Sequence, residues 1–203
     1  GGSFGEGLRS VLRLDPDVVM VGEIRDTDTA RTAIQAPITG HLVLSSFHAN
    51  STSTAFSRMI DMIGVNPIFS SAIRLVIAQR LVRRLVDATK EEYEPDEATR
   101  NYVKRVLAGI PADVECPDLD TFKLWRPKPS NDAPFGYKGR IVIMEQLIVT
   151  EEIQKYIRGD VEDIHPESIE QTAKAEGMLT LEQVGVLAAL RGDTTLEEIG
   201  RVI

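Results

Sequence analysis

The stretch Leu8–Asn50, LRSVLRLDPDVVMVGEIRDTDTARTAIQAPITGHLVLSSFHAN, decides the fold of this chain. Residues 17–23 form a short run rich in β-branched apolar side chains, and the run ends in a carboxylate, Glu23. Such a run is typical of a buried strand in a parallel sheet. Residues 41–47 predict a second strand, which places His48 at its carboxyl end.

A helix is predicted between these strands, over residues 27–38, with Asp28 or Thr29 as its N-terminal cap. Short connections favour neighbouring strands. Parallel strands end at the same edge of a sheet, and that edge is where α/β proteins bind their ligands. We therefore expect Glu23 and His48 to meet at one edge, which makes them a candidate catalytic pair.

The order and spacing of these motifs resemble the Walker B and histidine boxes of the secretion ATPases, the family that assembles type IV pili and drives type II secretion. The resemblance covers most of the chain and is weakest from Asp87 to Pro134. The matching segments are Leu8-Arg9, Leu12-Arg13, Asp15-Pro16-Asp17, Gly22-Glu23-Ile24-Arg25-Asp26, Thr39–Asn50, Gln79–Leu85, Gly136–Arg140 and Gly177–Leu181.

The resemblance implies an α/β fold: the C-terminal portion of a RecA-like P-loop ATPase domain, an acidic insertion subdomain and a helical C-terminal bundle. It implies that Glu23 orients the attacking water and accepts its proton during ATP hydrolysis with Mg²⁺. It also implies that His48 senses the γ-phosphate or an adjacent subunit. The residues assigned to nucleotide binding are Arg9, Arg13, Gly22, Arg25, Asp26, His41, Gln79 and Arg80.

Several of these residues also have structural interpretations. Glu23 could form a salt bridge with Arg25, or stabilise a helix N-terminus through the helix dipole. Arg25 and Asp26 could equally serve the local structure. His41 begins its strand and could be a buried histidine with satisfied hydrogen bonds. A metal site at the two histidines lacks a third ligand at suitable spacing.

The basic residues carry similar alternatives. Arg9 and Arg13 lie four residues apart on a short helix predicted over residues 8–14. They could contact phosphate or an adjoining subunit, or they could form a solvated basic face. Gln79 and Arg80 fall in a helix predicted over residues 67–85, whose basic end would complement its dipole.

One motif that ATP binding needs does not occur in the 203 residues. There is no Gly-x-x-x-x-Gly-Lys-Ser/Thr loop, whose backbone N–H groups and lysine cradle phosphates. In the family this loop lies upstream of the Walker B box. We therefore expect the chain to be the C-terminal part of a longer ATPase, with weak or no ATP binding on its own.

The family resemblance implies that the longer protein is a homo-hexamer at the cytoplasmic face of the inner membrane, with platform and adaptor proteins as partners.

Composition sets further bounds. With 42% hydrophobic and 27% charged residues the chain is typical of a globular protein. A net charge of −8 argues against nucleic acid as a partner. Residues 86–120 hold four basic and ten acidic side chains, whereas residues 1–85 are slightly basic. The charge therefore places a boundary near residue 86. With the family resemblance, we divide the chain into 1–85 (the later half of the ATPase core), 86–139 (insertion) and 140–203 (a strand and helices).

The insertion departs from many relatives, which carry two Cys-x-x-Cys pairs there. The matching positions hold Val86, Thr89, Pro129 and Asp132, and Cys116 alone cannot bind tetrahedral zinc. We predict no zinc, a helix over residues 96–108 and an extended loop over residues 119–134. Beyond it, a strand is predicted over residues 140–145 and helices over residues 151–158, 166–176, 181–190 and 196–202.

Two other functions stay open. The chain could be a non-catalytic oligomerisation or docking module, as the missing P-loop would allow. It could also be part of a pilus-retraction, conjugation or DNA-uptake motor. Retraction motors tend to lack the insertion, so its presence favours assembly or secretion.

Overall fold

The computed structural model describes residues 2–203 and confirms the α/β class. Within this range, no helix is both long and apolar enough to cross a bilayer. The helices and strands are α1 (Phe4–Leu12), β1 (Val18–Val21), α2 (Thr27–Ile38), β2 (Leu42–Ser45), α3 (Thr52–Ile63), a 3₁₀ turn (Pro67–Phe69), β3 (Leu75–Leu85), β4 (Glu91–Tyr93), α4 (Glu97–Val106), β5 (Leu124–Arg126), β6 (Tyr137–Ile148), α5 (Glu151–Arg158), α6 (Pro166–Ala175), α7 (Leu181–Leu190) and α8 (Leu196–Val202).

The chain divides into two compact units, each made from separate segments. Unit 1 comprises the described residues up to Val76 together with Leu147–Glu176, and unit 2 comprises Ile77–Gln146 and Gly177–Ile203. These units cut across the ranges 1–85, 86–139 and 140–203, whose division by charge stays a prediction. The four C-terminal helices were predicted as one bundle, but α5 and α6 belong to unit 1, and α7 and α8 to unit 2.

Unit 1 is built on the predicted strand–helix–strand. β1 and β2 pair in parallel, with Val18 opposite Leu42 and Val21 opposite Ser45. Val19 and Val21 point into a core shared with the apolar face of α2. The prediction of a buried, parallel-type strand is met in part, because β1 pairs in parallel but one of its faces is exposed, with Met20 82% accessible.

The cap of α2 also differs from the prediction. Asp26, not Asp28 or Thr29, is the N-cap, and its side chain accepts the backbone N–H of Thr29 at 2.8 Å. Four consecutive residues in this turn, Asp26 to Thr29, are of types that can cap a helix. The one chosen is the residue whose extended backbone directs its carboxylate back at the first helical N–H groups.

Hydrogen bonds fix the helices at the other end of unit 1. Asn66 donates its backbone N–H to the carbonyl of Ile157 at the end of α5. The buried Tyr156 hydroxyl reaches the hydroxyls of Ser168 and Thr172 on α6. Helices α5 and α6 are thereby joined, and α6 packs against α3.

The helix predicted over residues 67–85 was wrong. Only Pro67–Phe69 is helical there, and Leu75–Leu85 is the strand β3. β3 pairs with β6, and hydrogen bonds from Val149 to Arg74 and from Val86 to Gly136 show that the two strands run in opposite directions. Apolar residues in this segment fit a period of 3.6 as well as a period of 2, and pairing with a strand some sixty residues away decides between them.

Unit 2 packs α4 and α7 against the short antiparallel pair β4–β5. One buried cluster in this unit includes Val103, Leu107, Phe122 and Leu124, all from the range 86–139. The predicted loop over residues 119–134 contains β5, so it is partly a strand. Helices α4, α7 and α8 are capped by Asp96, Thr180 and Thr195, whose side chains accept backbone N–H groups of the first turn.

Candidate functional site

The structure brings Glu23 and His48 together, as the sequence predicts. Glu23 follows β1 by two residues and His48 follows β2 by three. Because the strands are parallel neighbours in register, both loops leave the same edge of the sheet. Glu23 Oε1 lies 2.6 Å from His48 Nε2.

Hydrogen bonds hold these two loops against each other. The backbone N–H of Ile24 donates to the carbonyl of Ser46 at 3.1 Å, which continues the strand ladder beyond β1. The Ser46 hydroxyl donates to the carbonyl of Gly22. The relative position of Glu23 and His48 is therefore set by the backbone as well as by their side chains.

The protonation pattern follows from the geometry. A carboxylate only accepts hydrogen bonds, so His48 Nε2 must carry the proton in this contact. The Nε of Arg25 contacts the second oxygen, Oε2 of Glu23. Two donors thus orient the carboxylate, which retains lone pairs for a further donor such as water. The side chain of Glu23 is 18% exposed and that of His48 is 88% exposed, so the pair lies at the surface of unit 1.

Arg58 is a member of this site that the sequence did not indicate. It lies on α3, its Nη1 donates to the carbonyl of His48, and its guanidinium stands 5.1 Å from the centroid of the Phe47 ring. Its hydrogen-bond partner is a backbone carbonyl, which leaves no signature in the residue types. Its position on a helix directly after the histidine turn was the only available signal.

Arg9 and Asp26 have structural roles in this arrangement. Arg9 Nη1 lies 3.1 Å from Asp28 Oδ1 and also donates to the Thr32 hydroxyl, so it joins α1 to α2. Asp26 caps α2, and hydrogen bonds from the backbone and hydroxyl of Thr29 lower its pKa. Arg13 is exposed at the end of α1.

His41 is largely buried, but only one of its ring nitrogens is hydrogen-bonded and Nε2 has no hydrogen-bond partner, so its structural interpretation is met in part. Its Nδ1 lies 3.1 Å from the Thr39 hydroxyl and 3.3 Å from the carbonyl of Ala36. Its Nε2 faces Asp15 Oδ1 at 3.8 Å, and Asp15 has a positive φ of 54°. The ring therefore closes the turn between α2 and β2.

The remaining candidates have the following environments. Gln79 and Arg80 lie on β3 in unit 2, and Arg80 Nε donates to the carbonyl of Val202 at 3.3 Å. Gly22 has no heavy atom within 4 Å of where a Cβ would stand, so space alone does not require glycine. Across residues 2–203, no three His, Cys, Asp or Glu side chains are grouped to hold a metal ion. The absence of zinc stays a prediction.

Comparison with known proteins identifies related chains. A family model described as "Type II/IV secretion system protein" matches residues 1–201. The chain is 40% identical over 204 residues to the type II secretion system protein E of Xanthomonas campestris. It is 41% identical over 204 residues to the type IV pilus assembly ATPase PilB of Pseudomonas aeruginosa. Each match takes in 100% of this chain but 34% of the relative, so the chain spans about a third of their length.

Solved structures have a similar fold. The pilus retraction motor PilT with bound ADP is 25% identical, with a TM-score of 0.62 over 99% of this chain and 43% of that one. The ATPase DotB of Legionella pneumophila has a TM-score of 0.63 at 18% identity, over 98% of this chain and 42% of that one. The likeness to DotB concerns the fold alone.

Proposed function

Because the chain belongs to the type II/IV secretion system protein family, we propose that it forms the Walker B and histidine-box part of an ATPase motor, with Glu23 as the catalytic carboxylate. The contact between Glu23 and His48 at the ends of two parallel strands is the observation that carries this proposal. Relatives near 40% identity are named as secretion and pilus-assembly proteins. We propose that this chain also serves protein secretion or pilus assembly.

The residues present fit one half of a nucleotide site. Glu23 and His48 supply a proton acceptor and a donor where the strands end, whereas the 203 residues contain no phosphate-cradling glycine loop. When ATP and Mg²⁺ are bound, they supply the phosphoryl group and neutralise its charge. We propose that the cradle comes from another part of the protein, and that the chain alone binds ATP weakly or not at all.

Each residue then has a defined task. Glu23 orients a water molecule through a free lone pair and takes its proton. His48 keeps that carboxylate in place by donating from Nε2 to Oε1, and Arg25 does the same at Oε2. Arg58 restrains His48 through its carbonyl.

The proposal extends to assembly. A homo-hexamer at the cytoplasmic face of the inner membrane, acting on platform and adaptor proteins, is what the family resemblance implies. Pilus assembly or type II secretion is preferred to retraction, because the named assembly and secretion relatives share about 40% identity and PilT shares 25%.

A chimera tests the proposal. Residues 1–203 replace the matching third of Pseudomonas aeruginosa PilB, and ATP hydrolysis is measured with Mg²⁺. We expect turnover, and a loss of about 100-fold or more with Glu23→Gln, the range that general-base removal supports. Glu162→Gln, at an exposed position of unit 1, is the matched control and should leave the rate unchanged. A chimera no faster than its Glu23→Gln variant would exclude the catalytic role and favour a docking module.

A further inference from the structure

Unit 2 contains an open cavity of about 520 Å³ that the proposed ATPase site does not use. Its lining includes Tyr93, Trp125 and Tyr137, which are three of the five Tyr and Trp residues in the chain. Aromatic residues make up only 5% of the sequence. Their concentration around one cavity provides apolar ring faces at a single place on the surface.

Two of these rings are stacked by basic side chains that do not line the cavity. Lys90 Nζ lies 5.5 Å from the centroid of Trp125, and Arg83 Cζ lies 4.4 Å from that of Tyr137. Neither Lys90 nor Arg83 lines the cavity. The cations stacked on Trp125 and Tyr137 therefore lie outside the lining, whereas Arg126, which stacks on Tyr93, is part of it.

The charged groups of the lining are mostly acidic. They are the carboxylates of Glu94, Asp96 and Glu197 and one guanidinium, that of Arg126, which stacks on Tyr93 at 3.9 Å. Glu94 also lies within 4 Å of Arg100 and Lys123, which do not line the cavity. Burial raises the pKa of Tyr93, and the carboxylate of Glu197 raises it further. Burial also raises the pKa of Tyr137, and the carboxylates of Glu198 and, to a smaller extent, Glu197 add to this. The lining itself therefore carries more acidic than basic groups.

The walls of the cavity are fixed before any ligand arrives. The Tyr137 hydroxyl is within 2.8 Å of the Thr195 hydroxyl. Beside it, Gly136 has a φ of +76°, and a Cβ there would stand 2.6 Å from the backbone nitrogen of Lys128. Asp96 is held as the cap of α4. A preformed site loses little conformational entropy on binding.

We infer that this cavity binds a lysine or arginine side chain presented by a partner protein. Ring faces attract cations through their quadrupole, and carboxylates at the rim add charge-assisted hydrogen bonds. The same carboxylates repel phosphates, which argues against a nucleotide or nucleic acid. The site lies wholly in unit 2 and does not depend on the role of Glu23.

Fluorescence offers a direct test, because Trp125 is the one tryptophan in the sequence. The chain is titrated with a six-residue peptide, Ac-Gly-Ser-Arg-Arg-Ser-Gly-amide, and with the same peptide carrying citrulline, a neutral isostere of arginine. We expect saturable binding of the arginine peptide that weakens as salt is added. The citrulline peptide should bind about two- to fivefold more weakly or not at all.

Charge variants locate the binding. Glu197→Gln should weaken the arginine peptide about two- to fivefold, as for a partly exposed ion pair. Glu162→Gln in unit 1 makes the same charge change and should have no effect; circular dichroism checks that both variants fold. Equal binding of the citrulline peptide, an unchanged affinity in Glu197→Gln, or no saturable signal would each overturn the inference. So would a Trp125 response to AMP without one to arginine.

Discussion

At Glu23, two donors orient one carboxylate, and the more exposed of them comes from the histidine turn. The sequence predicted this pair because parallel neighbouring strands end at a common edge. It raised a salt bridge between Glu23 and Arg25 as one alternative, which the structure contains. It could not predict that Arg58 would hold the carbonyl of His48. Those contacts depend on side-chain rotamers and on backbone acceptors, and the residue types alone specify neither.

His48 should matter through the hydrogen bond from its Nε2. In the chimera, His48→Ala removes the donor to Glu23 Oε1, and we expect hydrolysis to fall roughly 10- to 100-fold because the carboxylate loses its orientation. His165, which is as exposed as His48 (85% and 88%), provides the control His165→Ala. Equal rates for the two variants would remove His48 from the mechanism.

Glu198 is a buried carboxylate in unit 2 that the sequence analysis did not single out. It accepts the backbone N–H and the guanidinium of Arg83, and Arg201 donates to it as well. Burial alone would raise its pKa, but the hydrogen bonds from Arg83 and Arg201 prevail and lower it from 4.5 to about 2. Helix α8 is thereby attached to β3.

Glu198 therefore predicts an acid-dependent stability. Its folded pKa is depressed, so its contribution is fully present above pH 4.5 and is lost as the pH falls towards 2. Glu198→Gln should lower the free energy of unfolding at pH 7 by about 3 kcal/mol. Urea unfolding at several pH values measures this. The gap between variant and parent should narrow from pH 4.5 to 3, and a constant gap would contradict the ion-pair account.

Among the elements, the helices from α5 onwards were predicted with nearly their observed bounds, because N-caps, Pro166 at the start of α6 and glycines mark most of their ends. β3 was missed because its pairing with β6 is a long-range contact that no local pattern encodes. β5 was hidden among prolines for the same reason, since its partner β4 lies about thirty residues earlier. Local signals thus placed the helices, and distant pairing placed the strands that were missed.

The cap of α2 gives a test at this scale. Asp26→Ala should cost about 1 kcal/mol of stability, because the N–H of Thr29 loses its acceptor. Asp26→Asn keeps a side-chain acceptor and should cost much less. Thermal unfolding of both variants distinguishes them. Equal losses would mean that the charge of Asp26, and not its capping bond, stabilises the helix.

For the whole molecule, the main expectation is that phosphate binding needs a part of the protein outside these 203 residues. A fluorescent ATP analogue with Mg²⁺ should show no saturable binding to the 203-residue chain, because the phosphate-cradling loop is not in its sequence. The PilB chimera serves as the positive control. Micromolar binding by the chain alone would show that it contains its own phosphate site.

The most direct measurement is single-turnover ATP hydrolysis by the chimera carrying Glu23→Gln, with ATP affinity determined on the same protein. If Glu23 is the catalytic carboxylate, the affinity should change by no more than about twofold while phosphate release slows about 100-fold or more. Unimpaired phosphate release at full ATP occupancy would contradict the account, and would leave the contact between Glu23 and His48 as a structural feature of the sheet edge.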